Sequence, residues 1–120
     1  MIIYMIMAKF KLKMNQNEMR VLGSCCIYTV RMCGKVDSIS RIAVLETCER
    51  LWSRMRNMYR PDRDKYTITL SAMEVITLTG SVLPRMQDSE EPLLRTVGFT
   101  FGEELRKQCE REINIYNAMR

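Results

Sequence analysis

Two six-residue segments that begin 56 residues apart share one pattern, and this self-similarity constrains the fold more than any other feature. Residues 9–18 read KFKLKMNQNE and residues 65–74 read KYTITLSAME. When the two segments are aligned, lysine matches lysine, an aromatic residue matches an aromatic residue and glutamate matches glutamate. Each segment alternates polar and apolar residues with a period of two, which is typical of a half-buried β-strand.

Each predicted strand leads directly into a helix start. Asn15 with Glu18, and Ser71 with Glu74, have the spacing of a capping box. In that motif the side chain of the first residue bonds the backbone of the fourth, and the fourth side chain bonds back to the first. The sequence therefore predicts the same strand-to-helix junction twice.

Hydrophobic residues after each strand recur with the period of a helix. After the first strand they predict helices over 16–33 and 39–60. After the second strand they predict a helix over 72–86, and an earlier end at Pro84 stays open. The order is strand–helix–helix followed by strand–helix–helix.

Glycines complicate the last part of the chain. Pro92 suits the first turn of a short helix, and Thr100 with Glu103 has the spacing of a further capping box. Gly98 and Gly102 are therefore expected to separate a short helix from a last one that reaches about residue 118, although a continuous helix through both glycines stays open.

The helical period also assigns an apolar face to each helix. On the helix over 72–86 the predicted inward residues include Ile76 and Thr79, and on the last helix they include Ile113 and Tyr116. The longest apolar stripe lies on the helix over 39–60 and consists of Val44, Leu45, Cys48, Leu51, Trp52, Met55, Met58 and Tyr59.

A lone short strand leaves its backbone polar groups without partners, so the two predicted strands are expected to pair with each other, antiparallel. The predicted fold class is α+β, mostly α. It is an internally duplicated strand–helix–helix unit, with a two-stranded ribbon packed on a bundle of four to five helices. Residues 9–120 form one domain built of two repeats, 9–60 and 65–118.

Residues 1–8, MIIYMIMA, are too short to span a bilayer and lack the basic region of a signal peptide. They are expected to be a frayed or extended leader. The five cysteines are odd in number and show no C-x-x-C spacing, which indicates free thiols. Both features favour a cytoplasmic protein with no membrane partner.

The chain contains no histidine, which removes the commonest general base and zinc ligand. No glycine-rich phosphate-binding loop occurs either. We therefore expect no catalytic residues, no metal site and no cofactor.

Positive charge is concentrated in the first half of the chain. The net charge is +5, but residues 1–60 carry 11 basic and 4 acidic side chains, whereas residues 61–120 carry 8 and 10. A basic half favours polyanions such as nucleic acid, although a solvated basic surface gives the same composition.

The polar face of the predicted ribbon displays Lys9, Lys11, Lys13, Lys65, Thr67 and Thr69. A strand with such a face, followed by two helices, resembles the ribbon-helix-helix family of DNA-binding proteins. The resemblance covers residues 9–60 and, more thinly, 65–86. It implies that the six side chains read base edges in the major groove, and that the start of the second helix, at Ser38, Ser40 and Arg41, holds backbone phosphate.

A second basic cluster consists of Arg50, Arg54, Arg56 and Arg60 on the polar side of the helix over 39–60. It is interpreted either as a phosphate-contacting face or as an ordinary solvated surface with weak ion pairs.

Two functions follow from these observations. The first is a nucleic-acid-binding protein, a small transcriptional or mobile-element regulator that uses its ribbon on duplex DNA as a monomer or homodimer. The alternative is an adaptor or inhibitor of phage or mobile-element origin that binds a protein partner and occludes its surface.

Overall fold

The structure is a computed structural model that describes residues 9–120, so the predicted leader lies outside the described residues. The chain is mostly helical, with a two-stranded antiparallel sheet. The elements in chain order are β1 (Phe10–Asn15), α1 (Gln16–Arg31), α2 (Ile39–Met58), β2 (Lys65–Leu70), α3 (Ala72–Thr77), a π-helical segment (Leu78–Val82), α4 (Leu83–Gln87) and α5 (Pro92–Ala118).

The two predicted strands form and pair with each other. Their register places Leu12 opposite Ile68, the same 56-residue separation that relates the two segments in sequence. Apolar side chains of both strands are buried on the inner face, while polar side chains between them stay exposed. The period-two pattern therefore identified both faces of the ribbon correctly.

Both predicted capping boxes are present. The backbone N–H of Glu18 donates to the Asn15 side chain, and the Asn15 N–H donates to the Glu18 carboxylate, each at 2.8 Å. Ser71 and Glu74 make the equivalent pair of bonds at the start of α3. Each strand can therefore end and its helix begin without an intervening loop.

The helices α1 and α2 form an antiparallel hairpin. Cys26 of α1 and Cys48, Leu51 and Met55 of α2 are fully buried within the core shared with the ribbon. The side chain of Gln16, at the start of α1, donates to backbone carbonyls in the loop that follows α2. The C-terminal end of α2 thus returns to the ribbon, and the turn between α1 and α2 lies at the opposite end of the hairpin.

The helix predicted over 72–86 extends over 72–87 but contains the π-helical segment. The N–H of Leu83 donates to the carbonyl of Leu78, five residues earlier. Pro84 has no N–H to donate, and its ring would crowd the carbonyl four residues before it, so the wider π turn lets the helix continue past the proline. The predicted inward positions Ile76 and Thr79 are wrong, because both side chains are exposed.

The expected interruption at Gly98 and Gly102 is wrong, because α5 is continuous through both. These glycines allow close packing instead of a break. A Cβ atom added at Gly98 would lie 2.9 Å from the Cβ of Met86 and 3.0 Å from the backbone nitrogen of Gln87. Thr100 consequently lies inside a helix and caps nothing.

The last turns of α5 extend past the body of the molecule. Leu105 is fully buried, but Ile113 and Tyr116, both predicted to face inward, are 58% and 47% exposed. The helical period is correct here, but no element of residues 9–120 covers the apolar side chains at this end.

Candidate nucleic-acid interface

The outer face of the ribbon brings together four of the predicted side chains. Lys11 pairs with Thr69 and Lys13 pairs with Thr67, and all four are exposed. Lys65 lies at one end of the face, opposite Asn15, and Lys9 is exposed just before β1. We call the six residues Lys9, Lys11, Lys13, Lys65, Thr67 and Thr69 the ribbon face.

The backbone under the ribbon face is held at both outer edges. Gln108 of α5 accepts from the N–H of Lys11 at 2.9 Å and donates to its carbonyl oxygen at 2.6 Å. On the other edge, the guanidinium of Arg54 donates to the carbonyl of Thr69. Because these backbone groups point outward, Lys11 and Thr69 form a non-hydrogen-bonded pair, whose side chains stand closest together in an antiparallel ribbon.

The two edges are covered in a crossed arrangement. Arg54 belongs to α2 of the first half and covers β2, whereas Gln108 belongs to α5 of the second half and covers β1. Uncovered strand edges invite pairing with other chains. The arrangement keeps the ribbon two-stranded and leaves its outer face as its accessible surface.

Carboxylates flank the ribbon face on its β1 side. Glu18, Glu103 and Glu104 line a shallow groove together with Lys11 and Lys13. Two hydrogen bonds tie Glu103 to Arg106, and this contact lowers the pKa of the Glu103 carboxyl. These carboxylates reduce the positive charge next to the lysines on this side of the ribbon.

The second-helix start is not close to the ribbon face. Ser38 caps α2 by accepting from the N–H of Arg41 at 3.1 Å, and Ser40 is exposed. Arg54 contacts the ribbon 16 residues further along α2. At 1.5 Å per residue, Ser38 is about 24 Å from that contact along the helix axis. The structure does not bring Ser38, Ser40 and Arg41 together with the ribbon lysines.

Most of the second basic cluster is engaged within the protein. Arg54 forms an ion pair with Glu74 at 3.2 Å. Arg56 stacks over the ring of Trp52, 4.3 Å from its centroid. Arg60 donates to the carbonyls of Asn57 and Tyr59 at the end of α2. 

These contacts give three of the four arginines a structural role. Arg50 is exposed, and within the described part of the chain it forms no ion pair. The four arginines of this cluster therefore do not form a single cationic surface that is available to an anion.

Sequence reasoning missed Gln108. The residue follows Phe101 and Leu105 at helical spacing, so it lies on the buried face of α5 and is itself buried. A polar residue in an apolar stripe signals a buried group that needs a partner, although the period alone does not identify the partner as a strand edge.

The five cysteines are free, as predicted. Cys26 of α1 and Cys48 of α2 are both fully buried. A hydrogen bond from the Cys26 thiol to Cys48, together with burial, raises the pKa of Cys26 well above its ordinary value, and the same hydrogen bond lowers the pKa of Cys48. Across residues 9–120, no three Cys, Asp or Glu side chains come together in a way that could hold a metal ion.

Comparisons with known proteins identified no relative of this chain. No protein family, curated protein or solved structure matches the chain. Among residues 9–120, no helix combines the length and apolar character needed to cross a membrane. The geometry of the ribbon face therefore carries the functional argument.

Proposed function

We propose that the protein binds duplex nucleic acid with the ribbon face. The observation that carries the proposal is the exposure, on one rigid two-stranded element, of Lys11, Lys13, Thr67 and Thr69. Within residues 9–120, none of the ribbon-face lysines forms an ion pair. These charges are thus available to an external anion.

A two-stranded ribbon has dimensions that the major groove of B-form DNA accepts. Lysine ammonium groups can bind phosphates or the acceptor atoms of guanine, and threonine hydroxyls can bind either kind of base-pair edge. The carboxylates beside β1 disfavour phosphates on that flank. The proposal therefore has the ribbon enter the groove while α5 stays outside it.

The pseudo-symmetry of the ribbon supports a duplicated origin. Leu12 and Ile68, which correspond in the two segments, are paired with each other, so a twofold axis through this pair relates the two strands. We infer that the halves descend from one strand–helix–helix unit, as the likeness to ribbon-helix-helix proteins suggests. A small cytoplasmic regulator of transcription or of a mobile element suits such a binding module.

A duplex-binding titration with a charge-matched control tests the proposal. The double variant Lys11→Ala/Lys13→Ala removes two charges from the ribbon face, and Arg31→Ala/Lys35→Ala removes two from the far end of the α1–α2 hairpin. We expect the first variant to abolish binding and the second to retain it, with far-UV circular dichroism unchanged in both. Equal duplex affinities of the two variants would reject the ribbon face as the binding surface.

Salt dependence provides the second part of this test. Each phosphate neutralised lowers log K by about 0.9 for every tenfold increase in salt. We expect a steep slope for the unsubstituted protein between about 50 and about 200 mM salt. Affinity that does not change over this range would contradict a phosphate-contacting interface.

Binding to a protein partner is the second candidate function. Met32, Val36, Ile39 and Ile42 are exposed at the turn end of the α1–α2 hairpin, with Ile39 79% exposed. Grouped apolar side chains of this kind mark protein interaction sites. A partner held there should remain bound at high salt and be lost on Ile39→Asp, whereas Lys11→Ala/Lys13→Ala should leave that complex intact.

A further inference from the structure

A groove of about 720 Å³ lies between α1 and the region where α4 leads into α5. One wall is a face of α1 from Asn17 to Thr29, and the other is formed by α4 and the start of α5. Thr29 follows Asn17 by twelve positions, so the helical rise gives the groove a length of about 18 Å. Its volume falls within the range of sites that enclose a small ligand.

Apolar side chains contribute most of the surface of the groove. Thr29, Val82 and Met86 are buried at its base, and Val21 and Leu94 are half-buried above them. Tyr28 and Leu93 remain 56% and 45% exposed at the rim, although both have large apolar surfaces. An apolar chain placed between them would remove this surface from water.

The charge of the groove has one sign. Arg20 and Arg85 line it from opposite walls, and no carboxylate is present among its lining residues. Neither arginine forms an ion pair within residues 9–120. Guanidinium groups bind carboxylates through paired, charge-assisted hydrogen bonds.

We propose that this groove binds a medium-chain fatty acid, with the alkyl chain between α1 and α4 and the carboxylate at Arg20 and Arg85. A fatty acid matches the groove because it joins a linear apolar body to a single anionic head. The site brings together helices from both halves of the chain. The proposal is independent of nucleic-acid binding.

Calorimetric titration with sodium dodecanoate, kept below its critical micelle concentration, tests the site. We expect saturable binding of one dodecanoate per chain. Dodecyltrimethylammonium has the same chain with the opposite charge, and acetate has the same head without the chain, so neither should bind. Methyl resonances of Val21 and Leu94 should shift during the dodecanoate titration, which locates the ligand.

Two variants separate charge from shape. Arg20→Gln/Arg85→Gln should weaken dodecanoate binding at least about tenfold, because two charge-assisted hydrogen bonds are lost. Ser24→Trp, an exposed position on the same wall, should block the groove without disturbing the core. Arg31→Gln/Arg111→Gln removes two exposed arginines outside the groove and should leave binding unchanged.

Several results would overturn the proposal. They are absence of saturable binding, equal binding of the cationic surfactant, and binding that both groove variants leave intact. Sedimentation that shows a dimer dissociated by Ser24→Trp would assign the groove to a second copy of the chain instead.

Discussion

Gln108 holds both backbone polar groups of Lys11, across a separation of 97 residues. The amide oxygen accepts from the N–H and the amide nitrogen donates to the carbonyl. The Gln108 side chain therefore makes the two hydrogen bonds that a third strand would make with Lys11. The same nitrogen is 2.7 Å from a carboxylate oxygen of Glu104. The geometry of the ribbon face therefore depends on a helix near the other end of the chain.

Replacing Gln108 by leucine should destabilise the protein by about 2 kcal/mol, because the part-buried N–H and C=O of Lys11 lose their partners. Urea unfolding followed by circular dichroism measures the loss. The exposed neighbour variant Asn114→Ala should change the free energy of unfolding by no more than about 0.5 kcal/mol. Equal stabilities for the two variants would mean that water replaces Gln108 at no cost.

Arg54 joins Glu74, at the start of α3, to the outer edge of β2. The Arg54→Gln variant should lose about 1 kcal/mol of unfolding free energy, a modest value because the Arg54 side chain is 42% exposed. Arg50→Gln removes an equivalent charge from the same helix without these contacts and should be nearly neutral. Chemical denaturation of both variants checks the difference, and a neutral Arg54→Gln would remove the proposed role at the edge.

Gly98 is required for the close approach of α5 to α4. Gly98→Ala should destabilise the fold by about 2 kcal/mol or more, because the new methyl group meets the backbone of Gln87 and cannot be relieved by a side-chain rotation. Gly80 is the matched control, since a Cβ atom there meets nothing within 4 Å. Thermal unfolding should show a large drop in Tm for Gly98→Ala and little change or a small gain for Gly80→Ala.

The start of α2 should contribute little to duplex affinity. Ser40→Ala/Arg41→Ala alters a site about 20 Å from the ribbon contact along the axis of α2, beyond the Debye length of about 8 Å at physiological salt. Fluorescence anisotropy with a duplex of about 12 base pairs should show affinity within about twofold of the unsubstituted protein. A loss as large as that of the ribbon double variant would show that nucleic acid reaches the hairpin turn.

The buried thiols should make stability fall at alkaline pH. Cys26 keeps its proton in the folded state because its pKa is raised by the hydrogen bond to Cys48 and by burial, and burial also raises the pKa of Cys25. In the unfolded chain these thiols ionise near their ordinary pKa of about 8.5. The contribution of the raised pKa values of Cys25 and Cys26 to the free energy of unfolding is thus fully present below that pH and declines above it.

The hydrogen bond that lowers the pKa of Cys48 is the same one that raises the pKa of Cys26, so these two effects oppose each other. Burial also raises the pKa of Cys25, Cys26 and Cys109, and we therefore expect a net decline of stability at alkaline pH. Urea midpoints measured under reducing conditions at about pH 7 and about pH 9.5 test the expectation. A Cys26→Ala variant should show a smaller decline between the two values. A decline of the same size would assign the pH dependence to other groups.

The parts of the fold that could be predicted are those determined by the local polar–apolar periodicity and by the capping motifs. The alternation of Lys11, Leu12 and Lys13 identified a strand and its outer face, and Asn15 with Glu18 located the helix start within one residue. These features depend on residues that are close in sequence, so they can be predicted without knowing the tertiary contacts.

The parts that could not be predicted depend on distant partners. Gly98 allows close packing or breaks a helix according to what lies opposite, and only the position of α4 decides between them. Ile113 has the spacing of a core residue but lies beyond the end of the body. The groove between α1 and α4 is likewise a product of how two separately periodic helices are placed.

The crossed cover of the ribbon edges has a consequence for how such a chain can change. Because the helix of each half closes the strand of the other, a shortened gene that encoded one half would produce a chain with an open β-edge. A half-chain would also lack the partner strand, so we expect it to need a second molecule in order to fold. In the intact chain the two strands and the helices that cover their edges are covalently joined, and the ribbon is completed within one molecule.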